Sequence, residues 1–163
     1  MRRLVLVIAI WSFGFVYPAL AETKSTVNLS ELEQILIAAG LEPEMEVSEN
    51  DNEPYALVTA NGYNFDVRAK QCIPEGCQVI LFFSNFDLGR DITQKDYRAV
   101  NTYNDSNLHG RAYVYEAKKR VGIDFVLDLR GGVDTAYIQL NARRFPGLVQ
   151  EFVDHFRDAM SDN

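Results

Sequence analysis

YALVTANGYNFDVRAKQCIPEGCQVILFF, residues 55–83, sets three strand-like runs one after another with only turns between them. Asn61-Gly62, between Tyr55–Ala60 and Tyr63–Lys70, is a two-residue hairpin signal, because both residue types accept the positive φ of a type I′ turn. Ile73-Pro74-Glu75-Gly76 is a second turn, leading from Tyr63–Lys70 into Gln78–Phe83. Within the middle run Tyr63, Phe65 and Val67 alternate with Asn64, Asp66 and Arg68, the period-two pattern of a strand with one buried face. Val79–Phe83 is apolar at every position, which predicts a central strand covered on both faces, by helices or by a partner subunit. Contiguous strands of this kind point to α+β architecture with a mainly antiparallel sheet.

The flanking sequence supplies the other layer. NLSELEQILIAAG, residues 28–40, reads as a helix capped by Asn28 or Ser30 with Glu31 or Glu33 completing a capping box, and stopped at Gly40. Its apolar stripe is Leu32, Ile35, Leu36 and Ala39. Glu22 to Val27 reads as a short polar lead, Glu44–Ser48 as a weak strand, and SENDNEP (48–54) as an acidic turn without the spaced ligands of a calcium loop. A second helix begins at Thr93, with Asp96 three residues on, and turns Tyr97, Val100 and Tyr103 toward the sheet until Asn104 to Asn107 ends it.

Two further strands, Arg111–Ala117 and Val121–Leu129, flank the basic turn Lys118-Lys119-Arg120. Gly131-Gly132 is an ordinary turn, Asp134 caps the last helical region, and Pro146 is expected to divide that region in two. Phe145, Leu148, Val149, Phe152, Val153, Phe156 and Met160 recur there at helical spacing. The order is helix, strands, helix, two strands, helix, which predicts one domain over residues 22–163.

Residues 1–21 have the form of a secretory signal peptide: basic Arg2-Arg3, an apolar run from Leu4, then Ala19-Leu20-Ala21 before the expected cut. The apolar run is shorter than the roughly 20 residues a membrane span needs. The expectation is therefore an exported, periplasmic or secreted bacterial protein with no membrane span after cleavage. In an oxidising compartment Cys72 and Cys77, the two cysteines of the chain, are expected to form a structural disulfide across the neck of the hairpin. Five-residue separation is not the Cys-x-x-Cys of redox sites, and two thiols without histidines make a poor metal site.

Arg2 and Arg3 would leave with the leader, so 14 basic residues face 23 acidic ones, a net charge of −9. That balance argues against nucleic acid and anionic lipid. The single tryptophan, Trp11, would leave as well.

The segments LEQILIAAGLE (32–42), VILFFSNFDL (79–88), AVNTYNDSNLHGRAYV (99–114) and FVLDLRGGV (125–133) together resemble the YbjN-like proteins, described as bacterial sensory-transduction regulators. Asn101-Thr102-Tyr103-Asn104 followed by Arg111-Ala112-Tyr113 is the most specific part. The resemblance implies a fold like that of type III secretion chaperones, a twisted antiparallel sheet packed by helices and often paired as dimers. It implies no defined reaction and no catalytic residues. Export departs from the better-known members, which are cytoplasmic.

Asp124 and Asp128 share a strand face about 13 Å apart at roughly 3.3 Å per residue, too far for a glycosidase pair without a third carboxylate such as Asp66. His109 sits in a turn and His155 on the last helix, neither in a motif that would make it a catalyst. Three groups of candidates follow: Asn101, Tyr103, Asn104, Arg111 and Tyr113 for binding; Leu148, Phe152 and Phe156 for an interface; and Asp66, Arg68, Asp124, Asp128 and Arg130 as a polar sheet face. The reading is a non-enzymatic, chaperone-like or regulatory module that uses no metal or cofactor, pairs as a homodimer and holds a protein or peptide in the cell envelope. The alternative is a small-ligand receptor or hydrolase working from the polar sheet face.

Overall fold

The computed structural model describes residues 22–161, and the leader reading of residues 1–21 lies outside them. The elements in chain order are β1 (Thr23–Lys24), α1 (Leu29–Ala38), β2 (Pro43–Val47), β3 (Pro54–Ala60), β4 (Tyr63–Ile73), β5 (Gly76–Asp87), α2 (Gln94–Ser106), β6 (Arg111–Tyr115), β7 (Arg120–Asp128), β8 (Val133–Asp134) and α3 (Thr135–Ser161). Six strands form one antiparallel sheet in the order β2-β3-β4-β5-β7-β6. The fold is α+β, with three helices packed on that sheet.

The quoted hairpins form as read, and the second runs further than expected. Asn61 and Gly62 take φ of 53° and 79°, and β3 and β4 pair from Ala60↔Tyr63 outward. β4 and β5 continue past Lys70↔Val79 to Ile73↔Gly76, with Gln71 at φ 56° interrupting the ladder. Cys72 and Cys77 are register partners and form the disulfide, with Cα atoms 3.7 Å apart. That is closer than the usual range of about 4.4–6.8 Å. The backbone N–H and carbonyl of Cys77 are both spent on Val27, at 2.8 and 2.9 Å, so Cys72 and Cys77 face each other without a ladder bond, the closer kind of antiparallel pair. Closing so short a loop contributes about 2 kcal/mol in the chain-entropy account.

The short polar lead is itself paired into the fold. Val27 is buried against the tip of β5, β1 pairs with β8, and Thr135 donates through N–H and Oγ1 to the Glu22 carbonyl, each at 2.8 Å. Asn28 then caps α1, its Oδ1 accepting from Glu31 N–H while Glu31 Oε2 accepts from Asn28 N–H, both at 3.0 Å.

Alternation decides which face of the sheet is covered. Phe65, Val67 and Ala69 of β4, Ile80 and Phe82 of β5, and Ile123 and Leu127 of β7 belong to one core with α1, α2 and α3. Phe145 of α3 seals it, its ring 5.2 Å from Phe65 and 5.6 Å from Phe82. Val79, Leu81 and Phe83 point the opposite way, pairing with Lys70, Arg68 and Asp66. Helices therefore cover only one side of β5, so of the two covers expected, helices or a partner subunit, the helices account for one face.

Two helix readings also change. Tyr97 lies at the rim, 36% exposed, with its hydroxyl on Glu116, while Ala99, Val100 and Tyr103 face the core. Pro146 does not divide the last helix: α3 is continuous over Thr135–Ser161. The ring costs the bond to the Ala142 carbonyl, about 3 kcal/mol in an ordinary helix. Phe145, Pro146, Leu148, Val149 and Phe152 are all buried, so breaking the helix would strip half of its stripe from the core. Arg111–Ala117 likewise shortens to β6, because a 3₁₀ turn over Glu116–Lys118 and Lys119 at φ 55° reverse the chain.

The start of α2 rests on one buried carboxylate. Asp96 is fully buried and accepts from Arg90 Nη1 and Nη2, each at 2.7 Å, from Thr93 N–H at 2.7 Å and from Thr93 Oγ1 at 2.8 Å. The Arg90 guanidinium above all, with the Thr93 bonds, holds its pKa down at about 2 against an ordinary 3.8. A carboxyl depressed on folding stabilises fully above its unfolded value and loses that contribution as pH falls through its folded value. Urea midpoints should therefore fall as pH drops from about 4 to about 2, and Asp96→Asn should remove about 2 kcal/mol at neutral pH while flattening that acid limb.

Candidate functional site

The uncovered face carries Glu44 and Glu46 from β2, Tyr55, Leu57 and Thr59 from β3, Asp66, Arg68 and Lys70 from β4, Leu81, Phe83 and Asn85 from β5, Asp124, Val126 and Asp128 from β7, and Arg111, Tyr113 and Tyr115 from β6. Its apolar members are substantially open: Leu57 is 37%, Tyr115 48% and Val126 51% exposed. Leu81 and Phe83 are half-buried between them.

The arginines on this face neutralise its aspartates locally. Arg111 grips Asp124 through Nε and Nη2, with Nε–Oδ1 3.1 Å. Arg68 Nη2 sits 3.2 Å from Asp66, and Arg130 holds Asp128 from beyond the end of β7. The Arg68 guanidinium lies between the Tyr55 and Phe83 rings, 5.3 and 5.2 Å from their centroids, and its buried Nε has no partner among the described residues. Tyr113 donates to Asn85 Oδ1 at 2.7 Å, and burial above all, with Asp124 adding to it, pushes its hydroxyl up to about 12.

Three depressions stand out. A shallow one of about 260 Å³ on the open face is lined by Arg68, Leu81, Phe83, Asn85, Tyr113 and Asp124. A wider one of about 740 Å³ lies toward the β2 edge, bounded by Ile37, Leu41, Glu44, Leu57, Thr59 and Asp66. A third, of about 260 Å³, opens on the helical side between Phe86, Leu88, Val121, Phe152, Val153 and Phe156.

Of the polar sheet residues, Asp66, Arg68, Asp124 and Asp128 share the open face, and Arg130 reaches it from the following turn. Asp66 and Asp124 fall in different depressions, and each of the three carboxylates is committed to a guanidinium. The Arg130 side chain holds Asp128 down at about 2, the opposite of what an acid catalyst needs.

The binding candidates separate. Arg111 and Tyr113 join the open face, Asn101 is exposed on α2, and Tyr103 is fully buried against Phe152 and His155. Asn104 spends both its amide groups on the backbone of Ala112. Leu148 and Phe152 are core residues, 6% and 1% exposed, and Phe156 is half-buried beside the third depression. His155 Nε2 lies 3.0 Å from the Ala99 carbonyl and His109 Nε2 3.5 Å from Arg144, so neither histidine faces a carboxylate or a nucleophile.

The sequence reading noted Leu81 and Phe83 only within the apolar run Val79–Phe83 and passed over Tyr55, Leu57, Tyr115 and Val126. Their signal was parity: Tyr55, Leu57, Leu81 and Phe83 pair in register with Arg68 or Asp66, Val126 pairs with Leu81, and Tyr115 shares the parity of Arg111 on β6.

The YbjN family model, "Putative bacterial sensory transduction regulator", matches residues 28–158, from the cap of α1 almost to the end of α3. The chain belongs to the YbjN family. That description is regulatory rather than enzymatic, and on this face Asp66, Asp124 and Asp128 are each held by an arginine. No curated protein matches the chain at a significant level.

The two arginine clamps differ in kind. The Asp124 side chain is 9% exposed, so removing Arg111 leaves a charge stranded at the surface of the sheet, whereas Asp128 and Arg130 are both about half in water. Arg111→Ala should lower unfolding free energy by about 2 kcal/mol, whereas Arg130→Ala should leave the urea midpoint almost unchanged.

Proposed function

We propose that this protein is an exported, non-enzymatic binding module, regulatory or chaperone-like, that holds a protein or peptide partner in the bacterial cell envelope on the open face of its sheet. The observation that carries the reading is the composition of that face. One-sided antiparallel sheets are normally polar on the solvent side. Here Leu57, Leu81, Phe83, Tyr113, Tyr115 and Val126 interleave with paired charges, the mixture of apolar anchors and satisfied polar groups that protein interfaces use. An acidic chain suits a protein partner better than nucleic acid.

The family description supports a regulatory role, and the leader-like residues 1–21 support export. A hydrolase or small-ligand reading has less behind it, because the depression beside Arg68 is small and its one carboxylate, Asp124, is bound by Arg111.

The test is crosslinking of the tagged protein in its native envelope, with recovered species identified by mass spectrometry. Leu57→Lys with Val126→Lys should leave the circular-dichroism spectrum and melting curve unchanged and abolish capture of a partner that the wild type captures. A partner retained by that folded double variant would refute the open face as the surface. Crosslinks only between copies of the chain would refute the separate partner and make the surface a homodimer contact.

A further inference from the structure

The sheet has two free edges, and they are closed differently. At one end, β2 begins with Pro43, which has no N–H to offer, and carries Glu44 and Glu46. At the other end, β6 pairs with β7 along one side only. The backbone groups of Ala112 point away from β7, where a further strand would lie. Asn104, in the last turn of α2, occupies that place: its Nδ2 donates to the Ala112 carbonyl at 3.0 Å and its Oδ1 accepts from the Ala112 N–H at 2.8 Å. A side-chain amide thus supplies the same donor and acceptor that one residue of a neighbouring strand would supply.

The surrounding residues fix Asn104 there. Tyr103, beside it, is fully buried against Phe152 and anchors the helix end. Asn107 ends the helix, donating through N–H at 3.0 Å and Nδ2 at 2.9 Å to the Tyr103 carbonyl. Within the run Asn101 to Asn107, Tyr103, Asn104 and Asn107 are thus committed inside the fold.

We propose that Asn104 acts as a surrogate strand that closes the β6 edge and stops a second copy of this chain from adding its own β6 there. Two residues along from Ala112, alternation sends the backbone groups of Val114 to the same side. Ala112 and Val114 would be the first rungs of such a pairing. An open edge strand is a template for pairing with another chain. A merely structural hydrogen bond would stabilise the helix–strand contact without governing association.

The experiment is sedimentation velocity over a concentration series, with amide exchange read at β6, on wild type, Asn104→Ala and Asn104→Asp. Asn104→Ala should associate at least tenfold more tightly than wild type, with slower exchange at Ala112 and Val114 in the associated form. Asn104→Asp keeps the acceptor for the Ala112 N–H but sets an oxygen against its carbonyl, so it should fall between the two, and it decides the matter should Asn104→Ala not fold. Adding Val114→Pro to either variant removes an edge donor and should return association to the wild-type level. Reduced stability with unchanged association in both variants would overturn the proposal. Tighter association without slower exchange at Ala112 and Val114 would overturn it as well.

Discussion

Phe145 is the contact on which the rest of the arrangement depends. It comes from the middle of α3 and meets Phe65 of β4 and Phe82 of β5, the two strands at the centre of the sheet. A helix of 27 residues held at its midpoint on the central strands, with α1 and α2 packed beside it, covers one face of the sheet. The chain supplies no further helix among the described residues for the other face. Openness of that face thus follows from the way the core is closed.

What the open face then presents is decided by parity. Each strand sends alternate side chains outward, so Leu81 and Phe83 come to lie with Arg68 and Asp66 rather than with Ile80 and Phe82. The charges there are paired and the apolar groups between them remain partly exposed. Such a surface, with Asp66, Asp124 and Asp128 each held by an arginine, suits reversible contact with another macromolecule. The edges are managed separately, by Pro43 and the β2 glutamates at one end and by Asn104 at the other. A sheet with closed edges and one open face directs contact to the face.

Much of this was legible in the sequence. Asn61-Gly62, the alternation of Tyr63–Arg68 and the capping box at Asn28 each stand where local chemistry puts them, and the cysteine pair meets across the hairpin neck. The misses share a cause. Val79–Phe83 reads as covered by helices or a partner subunit, and the apolar run alone does not say that the helices take only one of its faces. Pro146 reads as a break because propensity is local, while the buried stripe on either side of it is a tertiary fact. The roles of Tyr103 and Asn104 were hidden for the same reason: adjacent residues in one motif face opposite tasks, one filling the core and the other completing a strand edge eight residues away in sequence.

The most direct test of the central claim, that the face left open by the helices is the working surface, is hydroxyl-radical footprinting of the protein in its native envelope against the purified protein. The account predicts that Leu57, Leu81, Tyr115 and Val126 are protected in the envelope and labelled when purified, while exposed helix positions such as Tyr137 and Leu140 label equally in both. Equal labelling of the open face in the two states, or protection confined to the helices, would contradict it.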